Sequence, residues 1–384
     1  MSEKKHVPEI NIMRAIAMIA VVLIHSTSGA SLQPALALSF NGVYMFLNKF
    51  SIFAVPLFIF ISGFVLVYTY QDKPLDKRTI LTYYRKRMTN IVVPYFLFSL
   101  FYFMLNYKSG AYSAFTALKM FAYQLLTGSA HSHLYFMVVI IQFYLIFPFL
   151  LLLLRNKRLN WHMLWIGAIV QWSYYILNRE IIVHMKWLPD AFHRTGSFFL
   201  SYFAFFMLGA VIASRFDMLR TWFSADSESG KKSAALWILP SSLWAALGFY
   251  YVHINYKGIV YKIWADSVVF QATWFCFTLL SALIIFRFSK WIYNVFPSRV
   301  VYLFTQLGAS SFGVYFIHPA VLMFYRNLSA SEDPYSYHLY NAGMFLTALG
   351  ISWLITAFIQ KYFAWSWVIF GTASTRRASV KTHH

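Results

Sequence analysis

Residues Glu9 to Ser28 read EINIMRAIAMIAVVLIHSTS, an apolar run that holds a cation, Arg14, and, eleven residues later, an imidazole, His25. At about 100° per residue, eleven steps make roughly three helical turns, so Arg14 and His25 share one face, about 16 Å apart along the axis. An ionisable side chain inside a bilayer costs about 3 kcal/mol even on the lenient insertion scale, so such a pair is expected to line a cavity and to bind or react there. The plainer reading is that Arg14 snorkels to one headgroup layer and His25 reaches the opposite interface. Their shared face weighs against it.

Composition fixes the class. The chain is 60% hydrophobic, 21% aromatic and only 11% charged, which describes an all-α, polytopic membrane protein and excludes an ordinary soluble domain. The formal charge of +20 does not point to nucleic acid, because Lys and Arg sit in short loops between apolar runs of about twenty residues, as membrane insertion requires. The single cysteine, Cys276, lies within an apolar run. That excludes a disulfide framework and a cysteine metal site.

Further apolar runs lie near 50–69, 91–107, 133–154, 161–178, 197–214, 234–252, 265–287, 300–325 and 339–363. With the first they predict about ten transmembrane helices. Placing both termini in the cytoplasm leaves only a minority of the 32 Lys and Arg residues outside, in accord with the bias of cytoplasmic loops toward positive charge. Residues 1–370 are expected to form one transmembrane domain and 371–384 a short cytoplasmic tail. Lys4 and Lys5 before an apolar run resemble a secretory leader, but the ionisable residues within the run favour a retained helix. Ser224 to Gly230 reads as a flexible loop.

Acids avoid the middle of every predicted span. Glu9 stands at the inner mouth of the first helix and Asp266 at the outer mouth of the eighth, whereas proton-driven carriers place a carboxylate at mid-depth. Histidines gather on the outer side: His131, His133, His184, His193, His253 and His338 in loops or helix ends, and His25 and His318 in the outer parts of their helices. His131 and His133 alone make a weak zinc signal, so no metal is expected. Arg85-Lys86-Arg87 follows the charge bias, and it is also where a phosphate-bearing ligand from the cytoplasm would first be attracted.

Arg14-AIAMIAVVLI-His25 resembles the first-helix hallmark of the acyltransferase 3 family of integral membrane O-acyltransferases. Four later stretches are similar to family segments in the same order: Tyr84-RKRMTNIVVP-Tyr95, His133-LYFMVVIIQFYLIFP-Phe149, Tyr202-FAFFMLGAVIA-Ser214 and Gly308-ASSFGVYFIHP-Ala320. Family members often carry an acid three residues before the motif Arg. Here that position is Asn11, with Glu9 two places earlier.

The resemblance implies transfer of an acyl group, acetyl first and succinyl next, from cytoplasmic acyl-CoA to a hydroxyl of an extracytoplasmic polysaccharide or glycolipid across a bacterial plasma membrane. No cofactor is held permanently, since acyl-CoA is the donor substrate. The length and the His318-Pro319 segment look like the branch that includes the intercellular adhesion protein C proteins, which act on exported poly-N-acetylglucosamine. Within this picture Arg14 holds phosphate or carboxylate oxygens, and His25 acts as general base or transient acyl carrier. Arg85 and Arg87 belong to donor binding, and His133, Tyr135, His318, Ser310, Ser311 and Glu9 to acceptor binding or support. For Ser310 and Ser311 the simpler expectation is close helix packing. Partners besides the substrates are membrane lipids, with self-association into a homo-oligomer left open. The rival reading is a polysaccharide or lipid-linked sugar exporter that forms no covalent bond, and a third is a membrane sensor.

Overall fold

A computed structural model describes residues 7–32, 41–107, 113–156, 159–219, 228–328 and 333–371. Lys4 and Lys5, Ser224 to Ser227 and the expected tail from residue 372 on lie outside the described residues. In chain order the helices are α1 (Glu9–Leu32), α2 (Asn41–Phe50), α3 (Ala54–Tyr70), α4 (Lys77–Arg87) and α5 (Val93–Asn106). There follow α6 (Ala114–Thr127), α7 (Tyr135–Arg155), α8 (His162–Glu180), α9 (Asp190–His193) and α10 (Phe203–Ser214). The last are α11 (Phe216–Leu219), α12 (Glu228–Tyr261), α13 (Ser267–Val295), α14 (Ser298–Tyr325), α15 (Pro334–Tyr362) and α16 (Ser366–Phe370). No strand occurs among the described residues. The protein is all-α.

Among the described residues, seven helical stretches are long and apolar enough to cross a membrane: Glu9–Leu32, Gly42–Tyr70, Lys77–Asn106, Tyr135–Arg155, Ser267–Val295, Ser298–Tyr325 and Tyr335–Tyr362. Phe199–Ser214 is apolar but shorter. The expected runs at 161–178 and 234–252 are helical, within α8 and α12, and stand outside that set. Two boundaries differ from expectation. The second stretch begins at Gly42 rather than near 50, because α2 joins α3 through a 3-10 turn, Ser51–Phe53. The basic segment before residue 91 is also helix, not loop. Asp76 caps it by accepting from the Thr79 N–H at 2.7 Å, and Arg85, Lys86 and Arg87 fall in its last turn, where cations suit the helix dipole.

The chain divides into two compact units, one formed by Met1–Ile61 and Phe216–Phe358, the other by Ser62–Arg215 and Ile359–His384. In the first, α1 packs chiefly on α14 and α2. Gly308 of α14 lies so close to α1 that a methyl group there would run into the Asn11 carbonyl. Further along both helices His318 meets His25, so α1 and α14 run in the same direction. Gly313 allows Thr356 of α15 a similar approach. Phe50 and Phe277 close on Gly248, and Trp244 packs on both rings, tying α2, α12 and α13 together. The Trp244 indole N–H donates to Ser281 Oγ at 2.8 Å.

In the second unit α10 is buried nearly all round, from Phe203 to Ala213 apart from Leu208, as expected of a uniformly apolar helix at a core. Phe206 stacks on Phe143 of α7 at 4.4 Å between ring centroids, and its carbonyl lies against Gly63. Pro148 in α7 has no N–H for the Tyr144 carbonyl. The Tyr83 hydroxyl donates to that carbonyl at 2.9 Å, and the Tyr84 hydroxyl to Leu145 O at 2.8 Å. Pro94 likewise removes a donor, and α4 passes into α5 through a π turn, Met88–Val92.

Candidate active site

The first unit places His25 and His318 with ring centroids 5.3 Å apart and planes tilted by 47°. His318 is fully buried and His25 half-buried. A carbonyl only accepts, so the 3.0 Å contact between His318 Nδ1 and Val314 O requires a proton on Nδ1. The lone pair of the neutral ring therefore sits on Nε2.

Side-chain donors hold the turn of α1 that carries His25. The Leu23 carbonyl accepts from Ser26 Oγ and Thr27 Oγ1, at 3.2 and 2.6 Å. Asn48 Nδ2 of α2 donates to Ile24 O at 2.8 Å. The His25 carbonyl accepts from Ser28 Oγ at 3.0 Å and from the Arg326 guanidinium at 2.7 Å. Three successive carbonyls are thus fixed from three directions, which limits how far the His25 ring can drift.

Arg14 lies half-buried on α1, its Nη1 donating to Asn11 Oδ1 at 3.1 Å. A neutral amide therefore occupies the place where family members often have an acid. Glu9 is buried in the first turn of the same helix. Ser310 and Ser311 are buried on α14, between Gly308 and Gly313, where small side chains let helices approach.

The second unit holds the remaining expected residues. Arg87 packs over the rings of Tyr83 and Tyr144, 5.5 and 4.9 Å from their centroids, while Arg85 is exposed. Just before α7 begins, His131 Nδ1 and His133 Nδ1 are 2.9 Å apart, one donating to the other, and both rings pack on Tyr102. No cluster of three or more potential metal ligands occurs among the described residues. Tyr135 opens α7 and, with His131, lines a cavity of about 350 Å³.

Several positioning residues escape a reading of the sequence. Asn48 and Arg326 are polar or charged residues like many others, and their targets are backbone carbonyls. Gln142 grips the segment before α10 with both ends of its amide, donating to Ser197 O at 2.9 Å and accepting from Phe199 N at 3.0 Å. A glutamine within an apolar run was the only signal for it.

Multiple helices of bilayer length define a multi-pass membrane protein. The model of the acyltransferase 3 family, described as an acyltransferase domain, matches residues 7–357. The chain belongs to that family and is a membrane acyltransferase. No curated protein and no solved structure matches it.

Proposed function

We propose that the chain transfers an acyl group, acetyl or, as second choice, succinyl, from cytoplasmic acyl-CoA to a hydroxyl of an extracytoplasmic polysaccharide or glycolipid, in a bacterial plasma membrane with both termini inside. The observation that carries this reading is the pairing of the His25 and His318 rings, with centroids 5.3 Å apart, in a chain of acyltransferase membership. The His25 imidazole takes the proton of the acceptor hydroxyl as its oxygen attacks the thioester carbonyl. The C–S bond then breaks, the sulfur leaves with the electron pair, and the proton held by His25 completes the CoA thiol. His318, with Nδ1 tied to Val314, orients His25. Arg14 holds an anionic part of the donor, and Arg85 and Arg87 draw its phosphates toward the cytoplasmic side. His133 and Tyr135 serve the acceptor, with Ser310, Ser311 and Glu9 as support.

The reading is tested by measuring glycan-bound acyl groups in cells that lack the protein and are complemented with wild type or His25→Ala at matched membrane abundance. Restoration by wild type alone is expected. Unchanged acyl content together with loss of surface polymer would instead support the exporter reading.

A further inference from the structure

The cavity in the second unit has a composition of its own. It opens where α6 ends, α7 begins and the connection from α8 to α10 passes, and Ser129, His131, Ser132, Tyr135, Arg194 and Tyr202 contribute to its lining. These supply hydroxyl, imidazole and guanidinium groups. Among the described lining residues there is no carboxylate and no side-chain amide.

Its walls are built rather than loose. Gly128 takes φ +69°, and a side chain there would collide with the backbone of Tyr135, so the α6–α7 turn is seated directly on the start of α7. Thr127 Oγ1 and Ser129 Oγ are 2.7 Å apart, and the Ser129 N–H donates to Gln124 O at 2.9 Å. Across the cavity, Ser201 Oγ donates to Thr195 O at 2.7 Å and Gln142 holds Ser197. A volume of about 350 Å³ is at the small end of ligand pockets, which run from roughly 300 to 1,000 Å³. It has room for one sugar-sized group.

A guanidinium has five donors and no acceptor, and hydroxyls adapt as donors. With one fixed positive charge and no acid among the described lining residues, such a lining favours an anion over a neutral hydroxylated ligand. We infer that this cavity binds the anionic group of an acidic or phosphorylated sugar, a carboxylate or a phosphate, with Arg194 as its principal contact. Calling that ligand the acceptor rests on the transfer reading above. Its binding does not.

The test uses the full chain in lipid nanodiscs, titrated with a glucuronate-containing disaccharide, with N-acetylglucosamine 1-phosphate and with neutral N-acetylglucosamine disaccharide, and binding followed by saturation-transfer NMR. At least one anionic probe is expected to bind more tightly than the neutral one. Arg194→Gln should weaken it by about tenfold or more and Arg194→Lys by less, at unchanged thermal midpoint, since Arg194 is exposed. Which anionic probe wins separates a uronic acid from a sugar phosphate. Equal binding of all three, binding of none, or indifference to Arg194→Gln overturns the inference. A parallel assay of CoA release from acyl-CoA by the wild type separates the two proposals. Anion binding without CoA release from acyl-CoA by the wild type leaves the cavity assigned and defeats acyl transfer. CoA release without anion binding does the reverse.

Discussion

His318 bonds the Val314 carbonyl through Nδ1 at 3.0 Å, and this tether fixes both its tautomer and its place beside His25. Asparagine carries its amide nitrogen at about the position of histidine Nδ1, so His318→Asn should keep the tether and lose Nε2. We expect thermal stability near wild type and acyl transfer lower by about tenfold, the equivalent of about 1.4 kcal/mol, because His318 orients His25 and does not itself carry the transferred proton. A fully active His318→Asn enzyme would reduce His318 to a packing residue.

Gly308 sets the spacing of α1 and α14. In Gly308→Ala the new methyl meets the Asn11 carbonyl, and backbone cannot yield as a side-chain tip can. A loss of about 1–3 kcal/mol is expected, as for overpacked cores, read as a lower thermal midpoint in detergent. Gly29→Ala, where a methyl meets nothing within 4 Å, is the matched control and should be neutral or slightly stabilising.

Tyr83 and Pro148 form a coupled pair. Tyr83→Phe leaves the Tyr144 carbonyl without the donor that replaces the missing N–H of Pro148, and should cost about 1–3 kcal/mol. In a Pro148→Ala background the restored N–H serves that carbonyl and the same substitution should cost less. Equal costs in the two backgrounds, measured by a double-mutant cycle, would disprove the coupling.

Arg326 acts on His25 through its backbone, so it is a positioning residue. Arg326→Gln should lower kcat by up to about tenfold, the equivalent of about 1.4 kcal/mol, with little change in KM for acyl-CoA, and Arg326→Lys should recover part of the loss. A rise in KM with kcat intact would place Arg326 in donor binding instead.

The helical skeleton was legible because apolar runs of bilayer length admit few other structures. The face shared by Arg14 and His25 follows from period alone, and the position of His318 along α14 from its distance to the helix start. What could not be read is anything whose partner is a backbone carbonyl. Asn48 reaches Ile24, Arg326 reaches His25 and Gln142 reaches Ser197, and a carbonyl carries no side-chain identity to pair with. The helical state of the basic stretch before Met88 was hidden for another reason. Charge bias explains Arg85 to Arg87 as a loop equally well, and only the Asp76 cap and the tyrosine bonds to α7 decide for helix. The cavity depended on Arg194, one basic residue among many until the fold set it beside His131 and Tyr135.

The most direct measurement is release of free CoA from radiolabelled acetyl-CoA by purified protein in liposomes, wild type beside His25→Ala, with a hydroxyl-bearing oligosaccharide on the opposite side of the membrane and succinyl-CoA as a parallel donor. Steady release by wild type with label recovered in the oligosaccharide, and release at least about 100-fold slower in the variant, is the result predicted. Equal release by both proteins, or none by wild type with either donor, would contradict a transfer reaction centred on His25.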